Sequence, residues 1–584
     1  MKIQSCLPML LLGVSLVPAP VAASKPTPGV TSSRCVAVAL SRPLSELAAE
    51  AAALASVPEG EAREVRNFSL DGKGDHSQME TAEVGDELRQ SAFPIYPGPN
   101  RLTDPLTSFD GVGAGGSLPP DTVGDVGPNH YVQAVNTRMA VYSKAGALLV
   151  GPVNVNTVFS SLPVNDRCRT TNDGDPIVLY DQLADRWLVS QFAVNPFPGG
   201  SAYNQCVAIS QTANPTGSWF AYNFLWATNR LNDYPHFGIW PDGYYVTFNQ
   251  FDSATQGWRG AGIAVYERAK MLLGQVAQQI LFDTQVPFTI GSAPYGGMLP
   301  ADLEGTNLPA VGEPNRVLEW DNAGWIGDAV DTLRVWEVHV DWTTPANSTL
   351  GLNTNFDANF LLAPADTTVL ADSVCSGTRN CIPQPGTAVK LDAISDGRLM
   401  YRATHRFFDD HDSLLVQNTV DAGAGIAAPR WMELRNAVAT PTIFQQGVFT
   451  LADSVHRWMG SAAMDGDGDI ALGYSASSAA VSPAIRYTAR HGYDPAGQMT
   501  MGEKVLMPGG GSQTHSSNRW GDYSTMTVDP VDDCTFWYTN QYYSSTSSSS
   551  WKTRIGSFQV WGCGSVFAHD FEANNTTGWS AVAP

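Results

Sequence analysis

The chain has 584 residues, 43% of them hydrophobic and 10% aromatic, enough for a large core, while only 15% are charged. Its 54 glycines and 38 prolines suit many short strands joined by turns and argue against a helical bundle. The formal net charge of -22 repels nucleic acid and anionic membranes, and suits an exported protein that must stay soluble.

The first residues carry one basic group, Lys2, then an apolar stretch through Leu10, Leu11, Leu12 and Val14, then the small residues Val21, Ala22 and Ala23. This is the pattern of a secretory signal peptide, 1–23, cut after Ala23, so the protein is expected to be secreted or held at the cell surface. The stretch is interrupted by proline, and no later segment reaches the roughly 18 consecutive apolar residues of a membrane span. Residues 24–95 read as a leader or pro-segment. Within them, 44–65 is rich in Ala, Glu and Leu at helical spacing.

Residues 96–563 repeat one pattern without strict identity. A short apolar strand leads into a turn built on Asp with Gly, Pro or Asn, and a β-branched or aromatic strand follows. The units fall at 121–136, 177–192, 237–251, 302–320, 389–405, 458–474 and 520–542. Asp-Gly and Pro-Asp-Gly supply the backbone angles of tight turns. A spacing of about 60 residues with about four strands per unit is the pattern of propeller blades. The expected fold is therefore all-β, a propeller of about seven four-stranded blades, with tandem β-sandwiches as the rival. The wider gap between the fourth and fifth units places an insertion near 345–388. In the fifth unit, 389–394 is expected as the inner strand and 398–405 as the second.

After the signal segment the cysteines are Cys35, Cys168, Cys206, Cys375, Cys381, Cys534 and Cys563. Export makes disulfides expected. Proximity in sequence pairs Cys168 with Cys206, Cys375 with Cys381 and Cys534 with Cys563, leaving Cys35 over. No Cys/His spacing matches a zinc site.

In a propeller, the residues just before each inner strand meet at one mouth of the central channel. Here they are Asp121; Asp173 and Asp175; Asp233 and His236; Asp302 and Glu304; His456 and Arg457; and Arg519, Asp522 and Tyr523. Several carboxylates facing one cavity need a cation or cationic side chains beside them. Bound Ca²⁺ on Asp121, Asp173, Asp175 and Asp302 would meet that need. Alternatively Arg457 and Arg519 clamp an anionic group on a ligand, with Asp233 or Asp522 as acid or base and His236 or Tyr523 assisting. In the third reading these groups pair with one another and cap strand ends. The string Asp465-Gly466-Asp467-Gly468-Asp469 looks like a calcium loop, but it lacks the following Gly and the closing Glu, and reads better as a hairpin turn. Trp187, Trp240, Trp458, Trp520 and Trp537 lie within strands and are expected in the core rather than against sugars.

The strings Asp233-Tyr234-Pro235-His236-Phe237-Gly238-Ile239-Trp240-Pro241-Asp242, Arg457-Trp458-Met459-Gly460, Arg519-Trp520-Gly521-Asp522-Tyr523 and Asp533-Cys534-Thr535-Phe536-Trp537-Tyr538-Thr539-Asn540 resemble those of exported bacterial propeller proteins of unknown activity. The last residues, 564–584, also resemble a short tail found on exported proteins of Gram-negative bacteria. More distantly the architecture is similar to sialidase-like propellers. That resemblance implies roles for Arg457, Arg519 and Tyr523 in an arginine cluster and a Tyr-carboxylate pair. The acidic-box string Ser-x-Asp-x-Gly-x-Thr-Trp of that group is absent, which counts against sialidase chemistry. The reading that follows is a protein binding an extracellular ligand, a glycan or other polymer, at the channel mouth. A polysaccharide hydrolase or lyase using the same cavity is the competing class, and a structural or adhesive envelope protein is the third.

Overall fold

A computed structural model describes residues 28–54, 63–64, 89–90, 102–289, 293–323, 326 and 328–564. The expected signal segment 1–23, and the tail beyond residue 564, lie outside the described residues.

The chain folds into seven antiparallel meanders that succeed one another as blades. Their inner strands are Val123–Val126, Ile177–Asp181, Arg230–Trp240, Leu299–Glu304, Leu399–Phe407, His456–Met464 and Thr525–Val528. Each inner strand packs beside that of the next blade, and the seventh packs back on the first, so the ring closes. Closure excludes tandem sandwiches and makes the fold a seven-bladed β-propeller. Blades 4 and 5 are joined most tightly. Residues 301–304 pair in parallel with residues 403–406, which fuses the two meanders into one continuous sheet.

The ring is locked by strand exchange between the ends of the propeller. Blade 7 supplies three strands of its own, and its fourth is Thr107–Asp110, which pairs with Lys552–Gln559. The segment before blade 1 wraps the outside. Val30–Arg34 extends blade 3 beyond Gln278–Asp283, and Ala37–Leu40 extends blade 2 beyond Trp219–Ala227. These added strands cover edges that would otherwise present unpaired N–H and C=O groups. The longest helix among the described residues, Leu44–Leu54, lies against blade 1.

Turn chemistry explains why the meanders are tight. In blade 3 Trp240 pairs directly with Gly243, so Pro241-Asp242 is the whole connection. The Asp465–Asp469 string is likewise a hairpin turn. The Asp465 carboxylate accepts the backbone N–H of Asp467 (3.0 Å) and Asp469 (2.9 Å). Trp187, Trp240, Trp458, Trp520 and Trp537 are all buried in the core. Cys168–Cys206, Cys375–Cys381 and Cys534–Cys563 are disulfide-bonded, and Cys35 is free. No helix among the described residues is long and apolar enough to cross a membrane.

Blade 5 departs from the sequence reading by one strand. Its inner strand is Leu399–Phe407 and its second is Asp412–Asp421. The hairpin turn is therefore 408–411, where the Phe408 N–H donates to the carbonyl of His411. Ser395-Asp396-Gly397 imitates the repeated turn, but Asp396 instead holds the Arg398 guanidinium at 2.9 Å. Leu391–Asp392, expected within an inner strand, pairs with Asn380–Ile382 of the preceding segment.

Candidate functional site

Five blades send side chains to one mouth of the ring. Asp121 precedes the inner strand of blade 1, Asp175 that of blade 2, and Asp522 and Tyr523 that of blade 7; Asp233, Tyr234 and His236 open the inner strand of blade 3. Arg398 and Tyr401 come from the start of blade 5. Direct contacts tie them together. The Asp522 N–H donates to Asp121 at 2.7 Å, and Asn136 also donates to Asp121. The Tyr523 hydroxyl lies 3.5 Å from Asp175 and donates to the Pro235 carbonyl at 3.3 Å. The rings of Tyr234 and His236 are 4.2 Å apart, and Tyr523 lies 5.2 Å from Tyr234 and 5.6 Å from His236. Arg398 sits over the Tyr234 ring at 5.2 Å.

The backbone is bent to achieve this. Asp121, Asp175 and Tyr234 adopt φ of 46°, 45° and 55°. That left-handed conformation is costly for non-glycine residues, about 1–2 kcal/mol each. Such strain collects at ligand clamps because the surroundings must hold it. Blade 3 also carries a bulge between Asp233 and His236, which re-aims both side chains.

The charge is unevenly matched. Arg519 pairs with Asp522 (2.8 Å) and Asp392 (3.3 Å), and Arg379 pairs with Asp392 (3.0 Å) and Asp522 (3.4 Å). Arg398 is engaged by Asp396. Asp121, Asp175 and Asp233 have no ion pair among the described residues, and the Asp233 side chain has no hydrogen bond there either. Burial pushes the Asp233 carboxyl up to about 7, with Asp522 adding to the rise and Arg519 opposing it. Burial and Asp522 do the same to Asp121, also to about 7. Asp175 is raised well above the ordinary range by burial and by Asp121, Asp233 and Asp522.

His236 is neutral. Its Nδ1 faces the Met298 carbonyl at 3.0 Å, so Nδ1 carries the proton and Nε2 keeps its lone pair. Burial lowers its pKa to about 3. The Nε2 atom and the Tyr234 hydroxyl are both buried without a hydrogen-bond partner among the described residues. Buried polar atoms without partners are uncommon in folded chains and call for an explanation.

The other sequence candidates lie elsewhere. Arg457 turns away into the blade body, where it pairs with Asp453 and Glu503, both at 2.7 Å, beside the ring of Phe449. His456 accepts the N–H of Ala427 at 3.2 Å. Asp173 accepts the N–H of Val194 (2.8 Å) and Asn195 (2.9 Å), a loop cap. Asp302 and Glu304 lie further along the inner strands, where both bind Arg402. The same Asp302 accepts the Ile239 N–H at 2.8 Å. The four proposed calcium ligands are thus not gathered: Asp121 and Asp175 share the mouth, whereas Asp173 and Asp302 are committed to other partners. Among the described residues, no group of three or more His, Cys, Asp or Glu side chains has the arrangement to hold a metal ion. Conversely, Tyr234, Arg398, Tyr401, Arg379 and Asp392 belong to the mouth without having stood out in the sequence as site residues. Tyr234 lies inside the Asp-Tyr-Pro-His string, next to two candidates.

No protein-family model matches this chain, and no curated protein matches it. Similar solved structures include an ulvan lyase (11% identity, 79% of this chain and 96% of that chain, TM-score 0.33). Others are a Trypanosoma rangeli sialidase (10% identity, 73% and 57%, TM-score 0.30) and a Bacteroides thetaiotaomicron endo-arabinase (13% identity, 53% and 92%, TM-score 0.24). Likeness at this level bears on neither the activity nor the ligand of this chain.

Proposed function

We propose that this protein binds an extracellular glycan at the propeller mouth. The observation that carries the reading is the pairing of unsatisfied directional groups with aromatic rings at one place. Among the described residues, His236 Nε2 and the Tyr234 hydroxyl are buried without partners beside the rings of Tyr234 and Tyr523, and no hydrogen bond to the Asp233 carboxyl is present. Sugars offer both hydroxyl groups for such atoms and C–H faces for such rings. The three disulfides are compatible with an oxidising compartment.

A second reading, a glycan hydrolase or lyase at the same mouth, draws on one specific observation. Burial raises Asp121 and Asp233 to about 7, with Asp522 adding to each, which suits proton transfer near neutral pH. Glycan-array binding of the full chain, run with a product-release assay on the bound glycans, separates the two. Binding without release, weakened in Asp522→Asn, supports the binding protein. Turnover abolished in Asp522→Asn supports the enzyme. An empty array and no release contradict both.

A further inference from the structure

The hydrogen-bonding polarity of the mouth says what kind of glycan it takes. Three guanidiniums are present, and each already faces carboxylates: Arg519 and Arg379 share Asp392 and Asp522, and Arg398 faces Asp396. What remains, apart from the unpartnered Arg519 Nε–H, is acceptors. Asp233 takes no hydrogen bond among the described residues and is 7% exposed. Asp175 has only the distant Tyr523 hydroxyl. His236 Nε2 offers a lone pair, since Nδ1–H is spent on Met298. A ligand for such a place must bring donors and positive charge.

An anionic sugar meets the opposite situation. The arginines that would clamp a uronate or sulfate already face carboxylates, and Asp175 and Asp233, when ionised, repel it. A metal ion is a poor match for a different reason. Tyrosine and histidine rings stand among the carboxylates, and no group of three or more His, Cys, Asp or Glu side chains arranged to hold a metal ion is found among the described residues. An ammonium supplies three donors in one compact charge, and tyrosine faces attract it. The Tyr234 ring already accepts one cation, Arg398, on its face. The formal charge of -22 draws polycations toward the molecule at long range.

We propose that the mouth recognises a hexosamine glycan carrying free amino groups, with the ammonium between Asp175 and Asp233 and hydrogen-bonded toward His236 Nε2 and the Tyr234 hydroxyl. This rests on the glycan-binding reading. Raised carboxyl pKa values fit the same picture, because an arriving cation relieves the crowding of Asp121, Asp175, Asp233 and Asp522, which Arg519 and Arg398 only partly offset.

The test is calorimetric titration of the full chain with a glucosamine oligosaccharide, its N-acetylated counterpart, a neutral glucan oligosaccharide and CaCl₂. The expected result is binding of the free-amine oligosaccharide at least about tenfold tighter than the N-acetylated one. Asp233→Asn should lose most of that preference. So should Tyr234→Phe, which removes one unpartnered hydroxyl and leaves the ring in place, should the first variant fold poorly. Equal or better binding of the N-acetylated or neutral oligosaccharide overturns the amine inference while glycan binding stands. Binding of CaCl₂ that displaces the sugar also overturns it. If no oligosaccharide of the panel binds and the glycan array is empty, the glycan-binding reading falls with it.

Discussion

A carboxylate that makes no hydrogen bond, as Asp233 does, costs the fold stability when ionised. Its pKa is about 7 in the folded chain against about 3.8 ordinarily, so folding favours the protonated acid. Stability contributed by that proton is fully present below about pH 4 and is lost as pH rises through 7. Asn has nearly the same shape and no charge. We therefore expect Asp233→Asn to be more stable than the wild type at pH 8, by on the order of a few kcal/mol, since each tenfold change in proton affinity is worth about 1.4 kcal/mol. The gain should shrink toward zero at pH 4. Denaturant melts of both proteins at the two pH values check this. A gain over the wild type no larger at pH 8 than at pH 4 would mean that Asp233 is satisfied in the folded chain. A mouth that keeps such a group at a stability cost is arranged for something other than stability.

At the scale of the strand, the ring depends on Thr107–Asp110, which completes blade 7 from the other end of the propeller. Deleting residues 102–112 leaves the outer edge of Lys552–Gln559 unpaired and opens the closure. The expected outcome is a fall in the thermal midpoint of roughly 10 °C or more, or loss of a single cooperative transition. An unchanged melt by calorimetry contradicts the closure. The blades themselves were legible in sequence because Asp-Gly and Pro-Asp turns recur between apolar strands, and six of the seven units fall on the first two strands of a blade. The fifth was displaced because Ser395-Asp396-Gly397 carries the same turn chemistry while serving a salt bridge with Arg398. The mouth was half legible. Asp121, Asp175, Asp233, His236, Arg519, Asp522 and Tyr523 follow from their place before or at the start of inner strands. Arg457 satisfies the same rule, yet the two-residue period of a strand turns it into the blade body toward Glu503. Arg379 and Asp392 come from the segment between blades 4 and 5, whose path no local pattern fixes.

For the whole molecule, the closed ring matters because it converts residues hundreds of positions apart into neighbours, such as Asp121 and Asp522. The deeper cluster of Arg402 with Asp302 and Glu304 ties blades 4 and 5 inside the ring, and Arg402 also reaches the Met526 carbonyl of blade 7 at 3.2 Å. That arrangement holds the inner strands in register while the mouth above them stays unbalanced in charge. A crystal structure of the protein with a glycan that saturates it in solution is the most direct measurement. Sugar density is expected within hydrogen-bonding distance of Asp233 and the Tyr234 hydroxyl, between blades 2, 3 and 7. Density on an outer blade edge, with the mouth unchanged, would contradict glycan recognition at the mouth.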